Sequence, residues 1–175
     1  MARREALREL QSRLANRLQA AREQGQAAAW LAIECEKLRF LIPLTQAGEI
    51  FAFSPIQPVP YTANWFLGVT NLRGGLCGVV DLSMWLGHGP TLASERAAAD
   101  ANLVLFNPAL EINCAVLAGR LVGLRGVESF VASSEAPPQS PDCFGHQYTD
   151  SQDVAWQEIN LQRLAQSPQF LGIGA

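Results

Sequence analysis

The chain has 175 residues, 49% of them hydrophobic and only 17% charged, with a net charge of −3. A sequence so apolar and so poor in charge excludes disorder, and it is long enough for one domain or two small subdomains sharing a core. Its longest charge-free stretch, Ile50 to Leu72, is broken by Pro55, Pro58, Pro60 and Asn64, a pattern that a lipid-buried backbone does not tolerate, so no membrane insertion is expected.

The first residues mix acids with bases and lack an apolar h-region, so no secretory signal is expected and the chain is placed in the cytoplasm. Leu7, Leu10, Leu14, Leu18 and Ala21 recur at steps of three and four, which predicts an amphipathic helix over residues 1–26 stopped at Gly25. Its apolar stripe must be buried on its own domain, on a partner or on a second copy. Residues 1–25 hold six arginines against three glutamates, leaving −6 on the remainder. An acidic body argues against nucleic acid, where neutralising phosphates supplies most of the affinity.

Beyond Gly25 the pattern changes to short β-like runs. Trp30–Cys35 and Arg39–Leu44 read as strands joined in a hairpin. Gly68–Leu72 and Leu76–Val80 read as a second hairpin, turning at Arg73-Gly74-Gly75, where Gly74 and Gly75 supply positive φ. Leu103–Phe106, Ile112–Leu117, Leu121–Leu124 and Val127–Val131 continue the series. Short strands with frequent turn signals predict small barrels or sandwiches. A faint repeat appears in Val79–Gly87 and Trp156–Leu164, each a strand followed by a capped helical turn, with Asp81 and Asn160 as the caps. Ser167-Pro168 starts a last short turn. Two β subdomains are implied, with the proline-rich Ser133–Asp142 as a loop between them.

Catalytic parts are missing. There is no P-loop, no G-x-G-x-x-G, no G-x-S-x-G and no H-E-x-x-H. Only His88 and His146 could serve as imidazole bases, and a Cys143–His146 pair would lack both an orienting group and an oxyanion hole. Cys35, Cys77, Cys114 and Cys143 are too scattered for a zinc site and read as small buried hydrophobes. No enzyme, metal or cofactor is expected.

Between Val59 and Leu86, Trp65-Phe66-Leu67 sets three large apolar side chains in a row. Either one of them is exposed as a contact, or they wedge between subdomains. The same stretch contains Gly68-Val69-Thr70-Asn71-Leu72-Arg73-Gly74, then Val79-Val80-Asp81-Leu82 and Leu86-Gly87. This resembles the signature of the CheW family, adaptors of bacterial chemotaxis arrays. The likeness extends from Leu41–Glu49 to Leu121–Val127, over about residues 27–166. The N-terminal segment and the ending from Trp156 to Gly174 are more similar to the PilI branch, which serves type IV pili and twitching motility.

The resemblance implies a mainly β fold of two intertwined five-stranded, SH3-like barrels, with the N-terminal helix and short capped C-terminal helices. Residues 27–170 would form this domain, its first half roughly 27–90 plus the C-terminal helix and its second roughly 100–160. It also implies a non-catalytic adaptor between a chemoreceptor hairpin tip and the regulatory domain of a CheA-like histidine kinase, with further copies of itself in array rings. The alternatives are a flagellar chemotaxis adaptor and an unrelated SH3-like peptide module. Tyr61, Trp65, Phe66, Val69, Asn71 and Arg73 are expected at the kinase interface. Ile42, Leu44, Glu49, Ile50, Val104 and Val122 are expected at the receptor groove, with Arg73 paired to Glu49 or lying at the partner surface. Gly78 and the Ala63–Asn64 region depart from the family, which often has proline there.

Overall fold

The computed structural model describes residues 30–92 and 98–174. The helix expected over residues 1–26 lies outside the described residues. The strands are β1 (Trp30–Cys35), β2 (Leu38–Pro43), β3 (Ala47–Ala52), β4 (Phe66–Leu72), β5 (Gly75–Val80), β6 (Asn102–Phe106), β7 (Cys114–Ala118), β8 (Arg120–Arg125), β9 (Phe130–Ser134), β10 (Phe144–Asp150) and β11 (Ala155–Ile159). Among the described residues the α-helices with stated ends are α1 (Leu82–Trp85), α2 (Leu161–Gln166) and α3 (Pro168–Leu171), all short. Strands β3 and β10 escape the sequence reading because glycine and polar residues interrupt their apolar pattern. Val127–Ser129, expected to start a strand, is a 3₁₀ turn, and β9 begins only at Phe130.

The strands form two sheets, ordered β8-β1-β2-β11-β10-β9 and β3-β6-β7-β5-β4. Each sheet draws on both halves of the chain, so the expected division near residues 90–100 splits the sequence but not the sheets. Two contacts are parallel, β2 with β11 and β5 with β7, and both join strands remote in sequence. The expectation of five-stranded barrels needs correction, because one sheet has six strands and neither closes as a continuous ladder. The five-stranded sheet curls toward closure through side chains and one isolated bridge. Thr70 donates its hydroxyl to the Pro55 carbonyl (2.9 Å), and Gln57 and Val69 exchange backbone hydrogen bonds of 2.8 and 2.9 Å.

Alternation along the central strands builds three apolar layers. Leu31, Ile33 and Cys35 of β1, Phe40 and Ile42 of β2, Val104 and Phe106 of β6, and Cys114 and Val116 of β7 fill the layer between the sheets. The intervening Trp30, Ala32 and Leu41 face a second core with Trp156. Leu103, Ala115 and Leu117 face a third with Cys77 and Val79.

The caps behave as the repeat suggested. Asp81 accepts from the Ser83 and Met84 amides (3.0 and 3.3 Å), and Asn160 from the Arg163 amide (2.9 Å). Asp81 does more than cap. Wholly buried, it also takes the Thr91 amide (2.8 Å) and hydroxyl (2.7 Å), tying α1 to the loop that follows. The C-terminal turns seal the central layer. Phe170 of α3 stacks on Trp65 (5.5 Å, 16°) and on Phe106 (6.2 Å, 10°), while Trp85 meets it edge-on at 6.1 Å.

Two substitutions test this construction. Gly68 has φ +133, and a Cβ there would overlap the Gln57 carbonyl that closes the sheet. Gly68→Ala should therefore destabilise the protein by at least about 2 kcal/mol in urea denaturation. Phe170→Ala should cost about 3–5 kcal/mol and shift tryptophan emission to the red as Trp65 meets water.

Candidate functional site

The hairpin of β4 and β5 turns through two residues, since Leu72 pairs with Gly75. Arg73 and Gly74 occupy the turn, both left-handed (φ 51 and 81), so the expectation of positive φ at Gly75 needs correction: Gly75 opens β5, and Arg73 takes the left-handed position instead. That geometry suits the right-handed twist of the strands, and glycine adopts it without strain. Asn71 supports the turn by accepting from the Gly74 amide (2.9 Å). Arginine in the first position is another matter. A side chain in the left-handed region costs about 1–2 kcal/mol.

Local contacts return little of this. The Arg73 Nη1 donates to Glu49 Oε1 (2.7 Å), and the guanidinium lies 5.6 Å over the Phe51 ring. The two charged side chains are 73% and 50% exposed, so the pair belongs to the surface class worth under about 1 kcal/mol. It is held by one hydrogen bond, not the two parallel bonds a guanidinium can make.

Tyr61 repeats the pattern more sharply. It is 89% exposed and its φ is +59. The other non-glycine residues with positive φ, Glu36, Glu111, Gln139 and Asp153, are polar residues of turns and loops. An exposed aromatic in that conformation is disfavoured both by backbone strain and by hydration. Val59, also exposed, precedes it, and on the neighbouring hairpin Leu76 is 63% exposed.

Of the other residues expected at the kinase interface, Val69 is half-buried and Asn71 exposed. Trp65 needs correction: it is buried, stacked on Phe170, and does not stand on the surface around Tyr61. Phe66 and Leu67 are half-buried, packed against the central layer and the third core respectively. The wedge alternative therefore describes Trp65-Phe66-Leu67, and Tyr61 is the aromatic of this stretch left outside. Gly78, where the family often has proline, donates its amide to the Asn113 carbonyl (3.1 Å), a bond proline would remove.

The residues expected at the receptor groove also separate by depth. Ile42 and Val104 are wholly buried in the central layer, and Val122 packs half-buried against the Trp30 core. Leu44, Glu49 and Ile50 are exposed. Ile50 pairs opposite Val104, so it shares the face that lines the central layer, on the edge strand β3. Leu124, 69% exposed and absent from the expected set, pairs opposite the buried Leu31 on the other sheet's edge strand β8. A register shift beside Gly123 (φ +126) resets the alternation of β8, and no sequence period could show that.

All four cysteines are buried and free. Burial pushes the Cys77 and Cys143 thiols up to about 11, and raises Cys35 and Cys114 further. Glu34 is kept below the ordinary glutamate range, first by its hydrogen bond from Arg120 (2.9 Å) and also by Arg39. Among the described residues, no three His, Cys, Asp or Glu side chains gather as metal ligands. No described helix is long and apolar enough to cross a membrane.

A family model for the CheW-like domain matches residues 29–169, well over half the chain. No curated protein matches. Among solved structures, the chain is similar to the scaffolding protein TtCheW from Thermoanaerobacter tengcongensis, at 17% identity and a TM-score of 0.61. The alignment covers 76% of this chain and 88% of that one. This likeness speaks for the fold.

The energetics of the turn lead to a direct test. Arg73→Gly should leave stability in urea within about 1 kcal/mol of the parent, because relief of the left-handed strain offsets loss of the surface pair.

Proposed function

We propose, from the premise that this chain belongs to the CheW-like domain family, that it is a non-catalytic adaptor coupling a chemoreceptor to a CheA-like histidine kinase. The observation that carries the reading is the placement of Tyr61 and Arg73. Each side chain is exposed, each sits at a backbone angle its residue type disfavours, and among the described residues Arg73 is held only by an exposed pair with Glu49 and by the Phe51 ring. Strain of this kind clusters where a partner supplies the missing interaction. An aromatic and an arginine are also the residue types that dominate protein interfaces.

In this reading the kinase regulatory domain meets Tyr61, Val69, Asn71 and Arg73, with Trp65 and Phe66 setting the surface from beneath. A receptor hairpin tip lies along the exposed edge of the central layer, on Leu44, Glu49 and Ile50, while Ile42, Val104 and Val122 form the packing behind it. Apolar side chains on an amphipathic helix suit such an edge. The ending from Trp156 to Gly174, together with the long arginine-bearing N-terminal segment, supports assignment to the pilus-controlling PilI branch and hence to twitching motility. Adaptor copies would join kinases in array rings.

Purified protein is mixed with the chemosensory kinase and the pilus receptor of its source, and co-sedimentation and kinase autophosphorylation are followed together. The adaptor should raise assembly and change kinase output without consuming a substrate. Arg73→Gly and Tyr61→Ala should each lower kinase binding at least tenfold, in the range of interface hot spots, while melting like the parent. Unchanged binding by both variants would reject this surface, and no effect of the parent on assembly would reject the adaptor reading.

A further inference from the structure

A groove of about 800 Å³ opens at the turn end of the β1–β2 hairpin, away from the proposed receptor edge. Leu44 follows β2 at the hairpin's other end, beside Trp30, which pairs with Pro43. The groove is lined by aromatic and proline rings together with Gln147, Gln157 and Gln169. Phe40 and Trp65 are buried at its base, Trp85 and Phe144 are half-buried along it, and the proline-rich loop contributes Pro137 and Pro141. Its volume falls within the range, about 300–1,000 Å³, typical of sites that enclose a ligand.

Charge distinguishes this groove from the rest of the surface. Lys37 and Arg39 line it, and no aspartate or glutamate does. Yet the chain beyond residue 25 carries a net −6. The neighbouring acids neutralise the cations only in part. Arg39 reaches Glu34 at 3.3 Å, but the same carboxylate already holds Arg120 at 2.9 Å, so two guanidinium groups share one negative charge. Lys37 stands 3.8 Å from Glu36 with its side chain 89% exposed. The result is a local cationic excess over an aromatic floor, set into an acidic body.

We infer that this groove docks an acidic segment of a partner protein that also carries apolar or aromatic side chains. Carboxylates would meet Arg39 and Lys37 at the rim, and rings would pack on Trp85 and Phe144 below. Charge complementarity of this kind selects the partner and speeds encounter. The aromatic and proline lining favours a peptide over phosphate-rich ligands, which would be held by cations alone. The groove shares Trp65 only from beneath with the surface around Tyr61, so the inference does not depend on the proposed kinase contact.

The test uses the full chain and a fluorescent synthetic peptide of repeated Asp-Leu-Pro-Phe, with Lys-Leu-Pro-Phe as its charge-reversed match. Anisotropy should show saturable binding of the acidic peptide, at least about tenfold tighter than of the basic one and weakened by salt. Lys37→Glu changes an exposed side chain and so cannot act by unfolding the protein; it should weaken binding about tenfold, and Arg39→Glu likewise. Acidic peptide should also alter tryptophan emission in the parent and by less in Trp85→Phe, because Trp85 and Trp65 are the tryptophans that line the groove. Arg73→Gly should bind the peptide like the parent, which separates this site from the proposed kinase surface. Equal binding of the two peptides, indifference to Lys37→Glu and Arg39→Glu, no binding at all, or preferential binding to anionic phosphatidylglycerol vesicles would each overturn the inference.

Discussion

Strands β1, β2, β6 and β7 bury both faces, and the rest of the molecule is arranged to make that possible. A strand with one buried face can lie on the outside of a two-layer sandwich. A strand with two must have packing on each side, so the two sheets share a central layer and each curls over a smaller core of its own. The parallel contacts of β2 with β11 and β5 with β7 follow from the same demand, because they bring the late part of the chain alongside the early hairpins. Burying apolar side chains on both faces gives a chain of this length a core that neither sheet could supply alone.

The central layer runs out at its margins, and those margins are closed in different ways. At one, α3 lays Phe170 between Trp65 and Phe106, and the tail beyond it binds back, with the Ala63 amide donating to the Ile173 carbonyl at 2.7 Å. This contact decides which aromatics of the uncharged stretch are structural. With Trp65 held under Phe170, the chain just before it is left outside at Tyr61. At the edge strands β3 and β8 nothing equivalent covers Ile50 and Leu124 among the described residues, and the face that is interior at Val104 and Leu31 becomes surface.

Two residues of the Gly68–Gly74 stretch show how a motif can combine unrelated physical requirements. Gly68 is needed because the Gln57 carbonyl passes where a side chain would begin. Arg73 satisfies no comparable need, since its turn position suits glycine and its ion pair is exposed. One is fixed by the fold; the other sits where glycine would fit with less strain. Asp81 lies at the structural extreme, with four hydrogen bonds to its buried carboxylate and no access to solvent.

Much was legible in the residues themselves. The short apolar runs of β1, β2, β6 and β7, the hairpin turn beginning at Arg73, the caps at Asp81 and Asn160 and the burial of the cysteines all depend on neighbours close in sequence or on side-chain hydrophobicity, which a linear reading can weigh. The placement of Trp65, Ile42 and Val104 inside, and of Leu124 outside, depends on contacts between residues far apart in the chain. So do the order of the sheets, their failure to close as barrels, and the groove beside Arg39. Hydrophobicity states that a side chain is better buried than wet; it does not state which partner will bury it, or where the supply of partners ends. Those were decided only when Phe170 reached Trp65 and when β3 and β8 became edges of their sheets among the described residues.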